Sequence, residues 1–137
     1  MKSSCDITIL FVDDEHDILS SMRRFLRKEP YHALFVDSGH DALEILSTRP
    51  VDIIITDLRM PEMDGLALLE KVKAAYPVVL RIILSATRDM DKMSEAVSTG
   101  TVYRFISKPL EPELFKRTIL DVVDYHCPAE LPEVTNL

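Results

Sequence analysis

Six side chains carry the oxygen and ammonium groups that handle a divalent cation and a phosphoryl group. They are Asp13, Asp14 and Glu15 in one run, then Asp57, Ser85 and Lys108 singly. Carboxylates brought together repel one another and lose solvation, so a positive charge must offset them. Hard oxygen ligands select magnesium over softer metals. On this reading Asp14 and Asp57 ligate the ion directly and Asp13 holds one of its waters. Lys108 supplies a point charge that pairs with Asp57 at rest and with a phosphoryl oxygen afterwards. Ser85 offers a hydroxyl donor to another oxygen. Phosphoryl transfer needs a nucleophile, in-line positioning and charge neutralisation, and a carboxylate is a competent nucleophile. Asp57 is therefore expected to form an aspartyl phosphate.

These residues meet only if the chain folds so that their elements converge. Short Val- and Ile-rich runs bounded by turn residues predict strands at Ile7 to Val12, Ala33 to Val36, Val51 to Ile55, Val79 to Leu84 and Tyr103 to Ile106. Between them apolar residues recur at helical spacing: Ile18, Leu19, Met22, Phe25 and Leu26; Leu66, Leu69 and Val72; Met90, Met93, Ala96 and Val97; Leu114, Thr118, Ile119 and Val122. The fourth-helix stripe is expected to pack against the sheet. Ser38 with Asp41 resembles a capping box, Pro112 suits a first helical position, and Gly100 suits a left-handed helix end. Five strands alternating with five helices make an α/β fold, a parallel sheet covered on both faces in one of a few doubly wound orders. In such a sheet ligands bind beyond the carboxyl ends of the strands, where all six side chains are expected.

With 137 residues the chain fits one domain, and its charge of −7 argues against non-specific binding to nucleic acid or anionic membrane. No apolar run approaches a membrane span, and Met-Lys-Ser-Ser-Cys-Asp lacks the apolar stretch of a secretory signal, so a cytoplasmic location is expected. Cys5 and Cys127 are then expected as reduced thiols, and the four histidines show no metal-ligand spacing. Residues 126–137 read as a tail or the start of a linker.

At these residues the sequence resembles the receiver domains of bacterial two-component response regulators, over about residues 5 to 125. The resemblance is carried by Ile-Leu-Phe-Val-Asp-Asp-Glu at 9 to 15 and Ile-Ile-Ile-Thr-Asp-Leu-Arg-Met-Pro-Glu-Met-Asp-Gly at 53 to 65. Leu-Ser-Ala at 84 to 86 and Lys-Pro at 108 to 109 complete it. It implies a flavodoxin-like sheet of order 2-1-3-4-5, magnesium bound by Asp14, Asp57 and the backbone carbonyl of Arg59, and a cis Lys108-Pro109 bond. It implies a switch in which Ser85 moves toward the phosphoryl group and Phe105 changes rotamer. Phe105 lacks the hydroxyl of the tyrosine that many relatives carry, so the switch expected here works through packing and not through that hydroxyl. Partners implied are a sensor histidine kinase or phosphotransfer protein, which would dock near the first helix, and an output domain or downstream protein. The responding surface, also suited to a homodimer, would be the fourth helix, fifth strand and fifth helix. Tyr103-Arg104-Phe105 before Lys-Pro resembles a subgroup whose receivers are joined to phosphodiesterase, cyclase, phosphatase or kinase modules. Arg59 and Thr87 stand at positions that tune phosphoryl lifetime.

Plainer readings stand beside these. Asp13 and Asp14 suit a helix amino terminus, Ser85 a turn, and Phe105 the core. Arg23, Arg24, Arg27 and Lys28 suit a solvated helix end. Three other functions remain open. A magnesium phosphohydrolase would want a second aspartate two residues after the nucleophile, where this chain has Arg59. A flavodoxin-like cofactor binder would want a hydroxyl- or glycine-rich loop after strand one, where this chain has Asp-Asp-Glu-His-Asp. A degenerate receiver would serve only as a binding module.

Overall fold

The computed structural model describes residues 6–86 and 89–126. Cys5, Thr87, Cys127 and the tail beyond 126 lie outside the described residues. Strands and helices alternate: β1 Thr8–Val12, α1 His16–Phe25, β2 His32–Val36, α2 Gly39–Thr48, β3 Ile53–Asp57, α3 Gly65–Ala75, β4 Leu80–Ser85, α4 Met90–Ser98, β5 Arg104–Ser107 and α5 Pro112–His126. All pairings are parallel and the sheet order is β2-β1-β3-β4-β5, the flavodoxin-like arrangement expected.

Because side chains alternate across a strand, the central strands feed two cores. Ile9 and Phe11 on β1, Ile53 and Ile55 on β3, and Ile82 and Leu84 on β4 face α1 and α5, where they meet Leu19, Met22, Phe115 and Ile119. Leu10 and Val12, Ile54 and Ile83 face the other way, onto Ala42, Leu68, Val72 and Met93 of α2, α3 and α4. Phe115 joins the first core edge-on, 6.4 Å from Phe11 and 5.9 Å from Phe25 between ring centroids.

Helix starts follow local chemistry. Ser38 Oγ accepts from the Asp41 amide at 3.1 Å, Asp64 Oδ1 from Ala67 at 2.8 Å, and Glu111 Oε1 from Leu114 at 2.8 Å. Pro112 opens α5, and Gly100, with φ of +84°, closes α4 as a left-handed cap.

Three sequence-based expectations need correction. The strands begin one or two residues away from the apolar runs, and β3 and β4 extend one or two residues beyond them, so Asp57 and Ser85 are the last strand residues and not the residues after. Backbone pairing, not side-chain polarity, decides a strand end: Asp57 stays in register with Leu84, and Ser85 with Ser107. On α5 the buried stripe is Phe115, Ile119, Val122 and Val123, whereas Leu114 is exposed, one residue and about 100° around the helix away. On α4 only Met93 and Ala96 of the expected stripe are buried, while Met90 and Val97 remain exposed.

Candidate phosphoacceptor site

The parallel registers bring three strand ends to one edge of the sheet. Asp57 ends β3, Ser85 ends β4, and the Lys108 amide extends the β4–β5 pairing by donating to the Ser85 carbonyl at 2.9 Å. The turn after β1 delivers Asp13 and Asp14. Carboxylate oxygens of Asp13, Asp14 and Asp57 lie within 4.8 Å of one another. Lys108 Nζ reaches Asp57 Oδ1 at 2.5 Å. Asp14, Asp57, Arg59, Ser85 and Lys108 line a cavity of about 210 Å³ that opens to solvent.

Asp13 is fully buried. Its Oδ1 accepts from the Glu15 amide at 2.9 Å, which shapes the β1–α1 turn, while Oδ2 has no partner among the described residues. Burial pushes its carboxyl up from 3.8 to about 6; the Glu15 amide opposes this and the Asp57 charge adds to it. A buried, orphaned carboxylate oxygen beside two further carboxylates, with one lysine at the cluster, fits a hard divalent cation.

The sign of this shift yields a testable pH dependence. A carboxyl whose folded pKa is raised contributes stability below about pH 4 that is lost as pH rises through about 6. In metal-free protein, urea unfolding should show Asp13→Asn gaining on the native sequence between pH 4 and 7, by about 2 kcal/mol at pH 7. The substituted carboxamide keeps an acceptor for the Glu15 amide, so the turn is retained. A difference between the two proteins that stays flat over this range would refute the assignment.

The site residues read from the sequence fall into four groups. Asp13, Asp14, Asp57 and Lys108 are brought together. Ser85 lines the same cavity, but its hydroxyl donates to the Ala86 carbonyl at 3.1 Å, turned onto its own loop. Phe105 is half-buried on β5, in register with Ile83 and packed on the α2-α3-α4 core, a position compatible with both readings of it. Arg59 contributes to the cavity wall, and its guanidinium pairs with Asp89, whose hydrogen bond and charge hold Arg59 above its ordinary pKa. The Lys108-Pro109 bond is cis.

Two contributors carry no role of their own in the sequence reading, although Gly65 closes one of its motifs. Gly65 is one: a Cβ there would lie 2.3 Å from the Asp57 carbonyl oxygen, because the Gly65 amide closes the loop onto the Leu58 carbonyl at 2.8 Å. Within that loop Glu62 takes a left-handed φ of 69°, with the Met63 amide donating to the Pro61 carbonyl at 2.7 Å, a tight γ-turn. Asp89 is the other. A lone aspartate before a helix signals a cap, and nothing in the sequence links it to Arg59.

Comparison with known proteins agrees with this geometry. The response regulator receiver domain profile matches residues 9–120. The hydrogenase transcriptional regulatory protein HoxA of Cupriavidus necator is 32% identical over 117 residues, covering 85% of this chain and 24% of HoxA. The transcriptional regulatory protein ZraR of Salmonella typhi is 31% identical over 131 residues, 94% of this chain and 30% of ZraR. The chain thus spans less than a third of the length of these relatives. Among solved structures, the adenylate cyclase from Rhodopirellula baltica superposes with a TM-score of 0.82 at 30% identity, covering 88% of this chain and 90% of that one. The signal receiver domain of an HD domain-containing protein from Pseudomonas fluorescens superposes at 0.81 and 28% identity, over 92% and 93% of the two chains.

Proposed function

The chain belongs to the response regulator receiver domain family, a family of signalling domains, and from that premise we propose that Asp57 accepts a phosphoryl group from the phosphohistidine of a sensor kinase or phosphotransfer protein. The observation that carries this is the contact of Lys108 with Asp57 inside the three-carboxylate cluster. An Asp57 carboxylate oxygen attacks phosphorus as the bond to the donor imidazole nitrogen breaks, and the imidazole keeps the electron pair. Lys108 stays beside the acceptor and neutralises charge on the phosphoryl oxygens. Asp14, Asp57 and the Arg59 carbonyl would hold magnesium, with Asp13 reaching it through a water, and the ion would supply the remaining charge neutralisation. Ser85 releases the Ala86 carbonyl and donates to a phosphoryl oxygen, and Phe105 repacks in response.

The receiver unit runs over residues 5 to 125, with 126–137 a tail or the start of a linker. It works in the cytoplasm, assists its own phosphorylation and hydrolysis, and turns over no external substrate. Its output surface is α4-β5-α5. Exposed Met90, Val97, Tyr103 and Tyr125, with the two tyrosine rings stacked at 5.6 Å, support that assignment. The same face suits a homodimer or a downstream protein. The acidic chain reaches nucleic acid only through such a partner or module. Against a phosphohydrolase stands Arg59, two residues past the acceptor and paired with Asp89, where an acid/base carboxylate would be needed.

The test is incubation with magnesium and acetyl phosphate, followed by intact mass and phosphate release. A single phosphoryl adduct that requires magnesium is expected. Sustained enzyme-like release of phosphate would favour the hydrolase, and absence of both adduct and magnesium binding would leave only a binding module.

A further inference from the structure

Asp89 occupies the N-cap position of α4, where aspartate is among the preferred residues because its carboxylate can accept from the second or third helical amide. Ser38, Asp64 and Glu111 do this for α2, α3 and α5. Asp89 does not: its side chain makes no cap hydrogen bond. Instead Oδ1 pairs with the Arg59 guanidinium, and Oδ2 has no partner among the described residues, although the residue is buried. The helix-starting amides of Asp91 and Lys92 are thereby denied the acceptor best placed for them.

Arg59 is the movable member of the pair. Its side chain is more than half exposed, and it borders the cavity that holds Asp57, Ser85 and Lys108. A phosphoryl group on Asp57 would bring close to two negative charges and three strong acceptors to that cavity, and the planar fork of a guanidinium suits such oxygens. Once Arg59 turns to it, a buried Asp89 carboxylate is left uncompensated, a costly state. The nearest relief is rotation toward the amino end of its own helix, where the helix dipole also favours a negative charge.

We propose that Arg59 and Asp89 form a charge latch: at rest it holds the amino end of α4 uncapped, and phosphorylation draws Arg59 away so that Asp89 caps the helix. This makes both positioning residues that link the acceptor to α4, and it rests on the reading of Asp57 as phosphoacceptor.

Amide hydrogen exchange at Asp91 and Lys92 tests the latch in two independent arms. At rest, without phosphodonor, Arg59→Ala and Asp89→Asn should each raise protection roughly five- to tenfold, since both free a capping side chain. Arg59→Lys should hold it near the native level by keeping the ion pair, and Asp89→Ala should not raise it. A merely structural ion pair predicts the opposite, lower protection in Arg59→Ala and Asp89→Asn, and that result overturns the latch. In the second arm, magnesium with beryllofluoride should raise protection in the native protein and not in Asp89→Ala. If intact mass after acetyl phosphate shows the adduct but beryllofluoride leaves protection unchanged, the coupling is wrong. If no adduct forms on the native protein, the phosphoacceptor reading fails and the coupling with it, while the resting arm still decides the cap.

Discussion

Asp57→Asn is expected to reduce phosphoryl incorporation from acetyl phosphate to background, a loss of at least about a hundredfold, because a carboxamide is no nucleophile for phosphorus. The neighbouring carboxylates are poor substitutes. Asp13 is fully buried, and its Oδ1 is committed to the Glu15 amide. Asp14 is more open but has no lysine against it among the described ion pairs, whereas Lys108 sits on Asp57. The fold should survive the change. The introduced carboxamide can still accept from Lys108, and removing one of three clustered charges relieves repulsion on Asp13. Intact-mass analysis before and after donor, with a urea melt to show the variant is folded, checks both halves. A variant that still gains one phosphoryl group in full yield would mean the acceptor lies elsewhere.

Gly65→Ala should be the most damaging small substitution near the site, costing about 3 kcal/mol or more. The added Cβ would meet the Asp57 carbonyl oxygen at 2.3 Å and the Leu58 Cα at 3.0 Å. Neither is the end of a flexible side chain, and relief requires opening the loop between β3 and α3. That loop aligns the acceptor backbone, so phosphoryl incorporation should fall together with stability, by about tenfold or more. Gly100→Ala provides the contrast. Its difficulty is conformational, a φ of +84° with the nearest atom, Lys73 Nζ, at 3.7 Å, and its cost should be about 1 kcal/mol with incorporation unchanged. Urea melts of the two variants side by side measure the difference. A Gly65→Ala protein within about 0.5 kcal/mol of the native sequence would show that the loop yields easily.

The legible parts of the site share one feature: each rests on residue type at a strand end. Asp13, Asp14, Asp57 and Lys108 could be assembled on paper because parallel strands in a doubly wound sheet end along one edge, and that is where the structure holds them. The strand limits were less legible. An apolar run marks what is buried, whereas the ladder is closed by backbone amides and carbonyls that polar Thr56, Asp57 and Ser85 supply equally well. The α5 face slipped for a related reason, since Leu114 and Phe115 are both apolar and only the sheet beneath them decides which is buried.

Hydrophobic periodicity and turn chemistry by themselves determined the number and order of elements, both faces of the sheet, and the identity of the charged cluster, because these depend on local spacing and residue type. Contacts between segments far apart in the chain were decided only by tertiary structure. The Arg59–Asp89 pair spans 30 positions. Arg81 spends its guanidinium on the carbonyls of Pro77, Val79, Gly100 and Thr101. The crowding of Gly65 against Asp57 arises from the fold-back of an intervening loop. Side-chain direction and the last ångström of backbone approach are set by packing, and no pattern of residue types along a chain encodes them.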